Sequence, residues 1–201
     1  SQNLVAVLGI VTAVGSMISM ALCPLLIKKL DEKKAYILLS VYGFAASIFS
    51  FVIGHFWFQN PKNMVLTVLF YASLFLIGLQ FGAVTLMPMI MTADAVDYYE
   101  YETGKRMEGA AYSILTLTIK VCLALGTAVG LIFVQLSGYY DLIDSGNFTT
   151  KTKDVIFFAY TALPGILALL SVIPMLKYDI VGEKKATITK TLAERRGTKE
   201  D

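Results

Sequence analysis

Long stretches without charged side chains constrain the fold of this chain more than any other feature. Five segments of at least 22 residues contain no Asp, Glu, Lys or Arg except Lys120. A helix needs about 20 apolar residues to cross a hydrocarbon core about 30 Å thick. The predicted spans are residues 4–27, 36–58, 64–92, 110–136 and 155–176. The sequence therefore predicts an all-α membrane protein with five transmembrane helices.

The basic residues are distributed unevenly along the predicted topology. If the spans alternate in direction, 13 of the 17 Lys and Arg residues lie on one side, after the first span, after the third span and in the tail. Cytoplasmic loops carry an excess of Lys and Arg. We therefore expect a transmembrane bundle over residues 1–177, a charged cytoplasmic tail over residues 178–201, and the N-terminus outside a cell membrane.

The first segment lacks the basic n-region and the cleavage site of a signal peptide. An outside N-terminus followed by an odd number of spans is expected of a chain cut from a longer protein.

Lys120 lies near the middle of the fourth predicted span. Ten residues of helix place it about 15 Å deep, where a lysine costs about 2.5–3.5 kcal/mol to insert. Ser113, Thr116 and Thr127 share its helix face at three- and four-residue spacing. This polar stripe is expected to line a substrate or ion path, and a structural lysine paired with a buried acid is the alternative. The other spans contain no interior carboxylate, so a mid-membrane acid would lie outside this sequence.

The segment between the third and fourth spans is rich in acids. Asp94 and Asp97 share a helix face at the end of the third span. The helix dipole favours cations rather than anions at that position. The two carboxylates therefore need basic partners, either Lys105 and Arg106 across the turn or residues elsewhere in the chain.

The same segment contains the signals of a tight turn. Gly104 is expected to end the preceding helix, and Glu108 to lie in the first turn of the next helix, where an anion is favoured. Two interpretations are open. The segment is either a salt-bridged cytoplasmic gate that closes and releases, or an ordinary solvated loop.

An enzyme is not indicated, because no nucleophile–base pair, metal-ligand cluster or phosphate-binding loop is evident in the sequence. No cofactor or nucleic-acid partner is expected either. Cys23 and Cys122 lie inside apolar segments and are interpreted as packing residues.

The stretch MTADAVDYYEYETGKRMEGAAYSILTLTIKVCLALGTAVG, residues 91–130, resembles the signature of the glycoside–pentoside–hexuronide:cation symporters. That family belongs to the major facilitator superfamily. The matching positions are Asp94, Asp97, Tyr98, Gly104, Arg106, Glu108, Tyr112, Ser113 and Lys120. The five-span pattern resembles helices eight to twelve of a twelve-helix transporter.

This resemblance implies a sugar transporter that works by alternating access and is coupled to Na⁺, H⁺ or Li⁺. It implies that Lys120 lies near the cation and sugar sites, with Thr116 as a polar neighbour. It places Asp94, Asp97 and Arg106 in the charged network that closes the cytoplasmic path. The family's cation-binding carboxylates lie in its N-terminal half, so no metal site is expected in this chain. The N-terminal helices of the same transporter become the expected partners.

Two further positions bear on the substrate. A position that is Trp in a well-known member of the family is occupied here by Thr85, so the sugar-stacking residue of that member has no counterpart. Gln80 could donate a hydrogen bond to a sugar hydroxyl or to a neighbouring helix, and both roles are open.

The alternative to a transporter is a membrane scaffold or a decayed fragment, because five spans cannot enclose a two-sided path.

Overall fold

The computed structural model describes residues 2–143, 146 and 148–197, with side chains from residue 9 onward. Within these residues the secondary structure is helical, and no strand is present. The helices are α1 (Gln2–Gln59), α2 (Met64–Thr103), α3 (Glu108–Leu136), α4 (Tyr139–Leu142), α5 (Thr150–Tyr160), α6 (Ala162–Leu170), α7 (Val172–Met175) and α8 (Gly182–Gly197).

The long helix α1 is interrupted at Asp31, whose φ of 63° and ψ of 162° are not helical. The interruption divides α1 into a first arm, residues 2–30, and a second arm, residues 32–59. The first arm runs parallel to α2, because Gly78 packs on Thr12 and Gly82 packs on Ser16. A Cβ atom at either glycine would overlap a backbone carbonyl oxygen of the first arm.

The second arm runs antiparallel to α2. Ser73 of α2 donates a hydrogen bond to Ser50 over 3.0 Å, whereas Trp57 donates to Thr67, nearer the start of α2, over 3.0 Å. The two arms therefore form a helical hairpin that reverses at Asp31. Four described helical segments, the first covering both arms, are long and apolar enough to cross a membrane. With the reversal at Asp31, the first of them divides in two, so that five helical stretches cover the five predicted spans.

The last crossing consists of α5, α6 and α7, which together cover Thr150–Met175. It packs on the second arm, where Gly165 contacts Ser47 and Phe157 contacts Gly54. By contrast, α3 has no buried side chain among its residues. Its side-chain contacts to the bundle include Tyr112, which reaches the Met89 carbonyl oxygen, and Phe133, whose ring lies 5.9 Å from that of Phe158.

The charged end of the bundle contains the Asp31 reversal, the end of α2 and α8. The prediction that Gly104 ends a helix is confirmed, because it is the left-handed C-cap of α2 with φ of 71°. Helix α2 continues past residue 92 as far as Thr103 and therefore carries the acidic residues on a helix surface. Within the tail, Ile188 and Leu192 of α8 are buried against tyrosines of α2.

Candidate functional site

Helix α3 presents the polar stripe that the sequence predicts. An open groove of about 440 Å³ runs along one face of α3 and is lined by Ser113, Thr116 and Lys120 together with Gly109, Tyr112 and Leu117. Thr127 lies two turns beyond Lys120 and is also exposed. The stripe lies on a helix that also exposes large apolar side chains, such as Leu123 and Leu125.

The hydroxyl groups of the stripe are tied to their own helix. Ser113 donates to the Gly109 carbonyl oxygen over 2.7 Å, and Thr116 donates to that of Tyr112 over 2.8 Å. Thr127 donates similarly to Leu123 over 2.9 Å. A hydroxyl that donates in this way still has lone pairs that accept hydrogen bonds, so the stripe presents acceptors beside the ammonium group of Lys120.

Lys120 forms no ion pair with any residue that the structure describes. Its side chain is exposed on the surface of α3. An ionisable group within a membrane span is usually paired or faces a water-filled cavity. The role of Lys120 in a substrate or ion path stays a prediction.

The two substrate-path candidates on α2 lie in different surroundings. Gln80 is only 5% exposed and packs directly against Gly43 of the second arm. A Cβ atom at Gly43 would overlap the Gln80 side chain, so the absence of a side chain at residue 43 makes room for it. Thr85 is exposed, and its hydroxyl group donates to the Phe81 carbonyl oxygen. The roles of both residues remain predictions.

Arg106 is the centre of the charged network after α2. Its Nη1 atom lies 3.0 Å from Asp97 Oδ1 and 2.8 Å from Glu100 Oε2. Its Nε atom lies 3.1 Å from Glu108 Oε2, at the start of α3. The hydrogen bonds that Arg106 donates to Glu100 and Glu108 raise the pKa of Arg106. One guanidinium group thus joins the end of α2 to the beginning of α3 across the Gly104 turn.

Asp94 has a different partner, which comes from the tail. Lys185 Nζ of α8 lies 2.7 Å from Asp94 Oδ1 and 2.6 Å from Glu32 Oε1. The two carboxylate side chains are only 9% and 8% exposed. Tyr178 donates a hydrogen bond to the other Asp94 oxygen over 3.3 Å. This buried cluster ties α8 to both α2 and the Asp31 reversal.

Two pKa shifts favour a charged Lys185 and a neutral Tyr178 in this cluster. Burial disfavours the charge on Lys185, but its hydrogen bonds to Asp94 and Glu32 outweigh that effect and raise the pKa of Lys185. Burial, together with the negative charge of Asp94, raises the pKa of Tyr178. Because a raised lysine pKa keeps the ammonium form below that value, Lys185 stays charged at neutral pH.

A second arginine, Arg196 of α8, also pairs with the acids on α2. Arg196 Nη2 lies 2.8 Å from Glu100 Oε2, the same oxygen that Arg106 holds, and 3.6 Å from Asp97 Oδ1. Lys184 lies over the ring of Tyr98, 4.6 Å from its centroid. Arg195 donates to the Tyr101 carbonyl oxygen over 3.0 Å.

Lys185, Arg196 and Glu32 are not among the residues that the sequence predicts for this charged network. A signal was available, because Ile188 and Leu192 are spaced four residues apart, with Lys185 one turn before them and Arg196 one turn after. That spacing puts the two basic residues on the face that α8 buries.

The comparisons with known proteins agree with this architecture. Residues 1–182 match the family model described as MFS/sugar transport protein. The inner membrane symporter YicJ of Escherichia coli K12 is 28% identical over 144 residues, which are 71% of this chain and 30% of that protein. The putative sulfoquinovose importer of the same organism is 26% identical over 198 residues, 96% of this chain and 39% of that protein.

A further relative, an uncharacterized 29.9 kDa protein of Pseudescherichia vulneris, is 29% identical over 129 residues, 64% of this chain and 45% of that protein. The chain thus spans less than half the length of these three relatives. No solved structure matches it.

The named relatives are transporters rather than enzymes, and they favour a transporter over the scaffold alternative. They confirm the resemblance inferred from the motif of residues 91–130. The chain belongs to the MFS/sugar transport protein family, among the symporters that resemble the glycoside–pentoside–hexuronide group.

Proposed function

We propose that this chain supplies helices eight to twelve of a sugar:cation symporter that works by alternating access. In such transporters two bundles rock around a binding site near the middle of the membrane. The observation that carries the proposal is the exposed polar stripe on α3, with Lys120 in the middle of an apolar helix. The resemblance of residues 91–130 to the symporter signature, which includes Lys120, supports this role.

In this proposal Lys120 senses the coupling ion, which is Na⁺, H⁺ or Li⁺, through charge compensation. The acids that bind the ion would belong to N-terminal helices of the same transporter. Ser113, Thr116 and Thr127 would offer hydrogen-bond acceptors along the path. Gln80 and Thr85 remain the candidates on α2, and the substrate class is a glycoside, pentoside or hexuronide.

We further propose that the charged end of the bundle is the cytoplasmic gate, with the tail in the cytoplasm and the N-terminus outside. The support is the excess of Lys and Arg at that end and the network that joins Asp97, Glu108 and Arg106 across the turn. Asp94 and Tyr98 belong to the same gate through their contacts with α8.

The test is radiolabelled sugar uptake into vesicles that contain the protein as its gene encodes it, with imposed Na⁺, H⁺ or Li⁺ gradients. We expect the Lys120→Leu variant to insert normally and to lose cation-coupled uptake. Thr118→Leu is the matched control, because Thr118 is an exposed α3 residue about 200° around the helix from Lys120. Normal coupled uptake in Lys120→Leu would contradict the proposal.

A further inference from the structure

An apolar groove of about 390 Å³ lies between the two arms of α1 and α2. Its walls are formed by Leu22, Leu25 and Leu26 of the first arm, Leu39 of the second arm and Ala83 of α2. Leu22 and Leu25 remain 54% and 57% exposed. Within the described residues, this surface has the shape and the chemistry to hold a hydrocarbon chain.

The groove has a single charged residue among its lining side chains. Lys29 lies at the charged end of the bundle, two residues before the reversal at Asp31. It makes no hydrogen bond or ion pair with the described residues. Two charged neighbours of Lys29 are engaged elsewhere, since Lys33 donates to the carbonyl oxygens of Leu176 and Tyr178, and Glu32 pairs with Lys185. The ammonium group of Lys29 is therefore available to an anion.

The length of the groove matches one leaflet of a bilayer. Along the first arm it extends from Ser19 to Lys29, which is about 15 Å at the helical rise. The hydrocarbon core of a bilayer is about 30 Å thick, so the groove covers half of it. Lys29 then lies at the depth of the lipid headgroups.

We propose that this groove binds one anionic phospholipid, with an acyl chain against the leucines and the headgroup phosphate on Lys29. Lipid tails are as apolar as leucine side chains, so the acyl chain gains little by leaving the bulk lipid. Selection therefore depends on the charge of the headgroup, and basic pockets between transmembrane helices bind such headgroups. The proposal does not depend on which solute is transported.

The experiment measures lipid retention by the protein as its gene encodes it, purified in detergent. Phosphatidylglycerol and phosphatidylcholine of equal chain length are added in turn, and bound lipid is counted by native mass spectrometry. We expect retained phosphatidylglycerol, and an affinity that falls about fivefold in Lys29→Gln, the effect of one lysine near a membrane surface. Lys34→Gln is the control, because Lys34 is exposed in the same loop region but does not line the groove.

A second pair of variants tests the groove itself. Leu25→Trp fills the groove and should displace the lipid, whereas Leu38→Trp, at a position that is 50% exposed outside the groove, should not. Equal retention of the two lipids, or an equal response of Lys29→Gln and Lys34→Gln, would overturn the proposal. A crosslink from residue 25 to another helix of the transporter would also overturn it, because protein would then cover the groove.

Discussion

The charged end of the bundle and helix α3 differ in whether their charged side chains have partners among the described residues. At the charged end, Asp94, Glu32 and Arg106 all find partners within the described chain, and α8 folds over them. On α3, Lys120 forms no ion pair with the described residues, and the hydroxyl groups beside it bond to their own helix. Charge in an apolar environment needs a partner in both places. One region meets that need within the described residues, and we propose that the other meets it with groups outside them.

Two pairs of glycines, one on α2 and one on α3, show the same contrast between the regions. Gly78 and Gly82 of α2 let the first arm approach until its carbonyl oxygens contact the α2 backbone. Gly126 and Gly130 of α3 have the same spacing, yet a Cβ atom at either would meet no described atom within 4 Å. Two glycines spaced four residues apart thus indicate that another helix can approach that helix face closely, but they do not indicate which helix does so.

The largest expected effect comes from breaking the buried ion cluster. Lys185→Met leaves two buried carboxylates, Asp94 and Glu32, without their cation. Removing one partner of a buried pair lowers the free energy of unfolding by about 3–5 kcal/mol. Because the Lys185 side chain is 32% exposed, we expect a loss of about 3 kcal/mol. The midpoint of thermal unfolding in detergent should fall clearly. In the control, Lys184→Met breaks an exposed pair with Asp179 and should change the midpoint little. Equal midpoints for the two variants would contradict the account of the cluster.

A smaller effect is expected from the glycine pairs. Gly82→Ile forces the first arm away from α2, and overpacking of this kind costs about 1–3 kcal/mol. Gly130→Ile adds the same side chain where the described structure has open space. The measurement is again the unfolding midpoint in detergent, where Gly82→Ile should be the less stable variant. If Gly130→Ile is as destabilising, then α3 is closely packed in the protein and the contrast between the regions fails.

The smallest effect on stability is expected at Arg106, whose ion pairs are exposed. Such pairs contribute about 0–1 kcal/mol each, so Arg106→Glu should lower the unfolding midpoint less than Lys185→Met does. It should instead weaken closure of the gate and change the ratio of sugar exchange to net uptake. Lys105→Glu is the control, because Lys105 forms no ion pair in the described structure. Unchanged rates of both exchange and net uptake in Arg106→Glu would argue against a gate at this position.

The long apolar helices and the Gly104 turn could be predicted because they depend on local sequence. Apolar runs fix helices in a membrane, and a glycine with positive φ commonly ends one. The partner of Asp94 could not be predicted in the same way. Lys185 is 91 residues away in the sequence, and only the packing of Ile188 and Leu192 brings it to the end of α2. Contacts that depend on tertiary packing leave little trace in local periodicity.

The helical reversal at Asp31 could be predicted only in part. The basic and acidic residues around it predict that the chain leaves the membrane there. The close turn itself depends on Asp31, whose φ of 63° and ψ of 162° lie in a region that residues other than glycine rarely adopt. Sequence therefore indicated the position of the turn but not its geometry.

The most direct test of the central claim asks whether the α3 stripe faces water or lipid. Thr116→Cys and Thr118→Cys are compared in the protein as its gene encodes it, after its other cysteines have been replaced. Both hydroxyl groups are exposed and donate to their own helix, but the two residues lie on different faces of α3. A membrane-impermeant maleimide is applied to sealed vesicles. The account predicts that residue 116 reacts faster than residue 118 and that a transported sugar protects it. Equal labelling of the two positions, with no protection by sugar, would contradict the claim that the stripe lines a transport path.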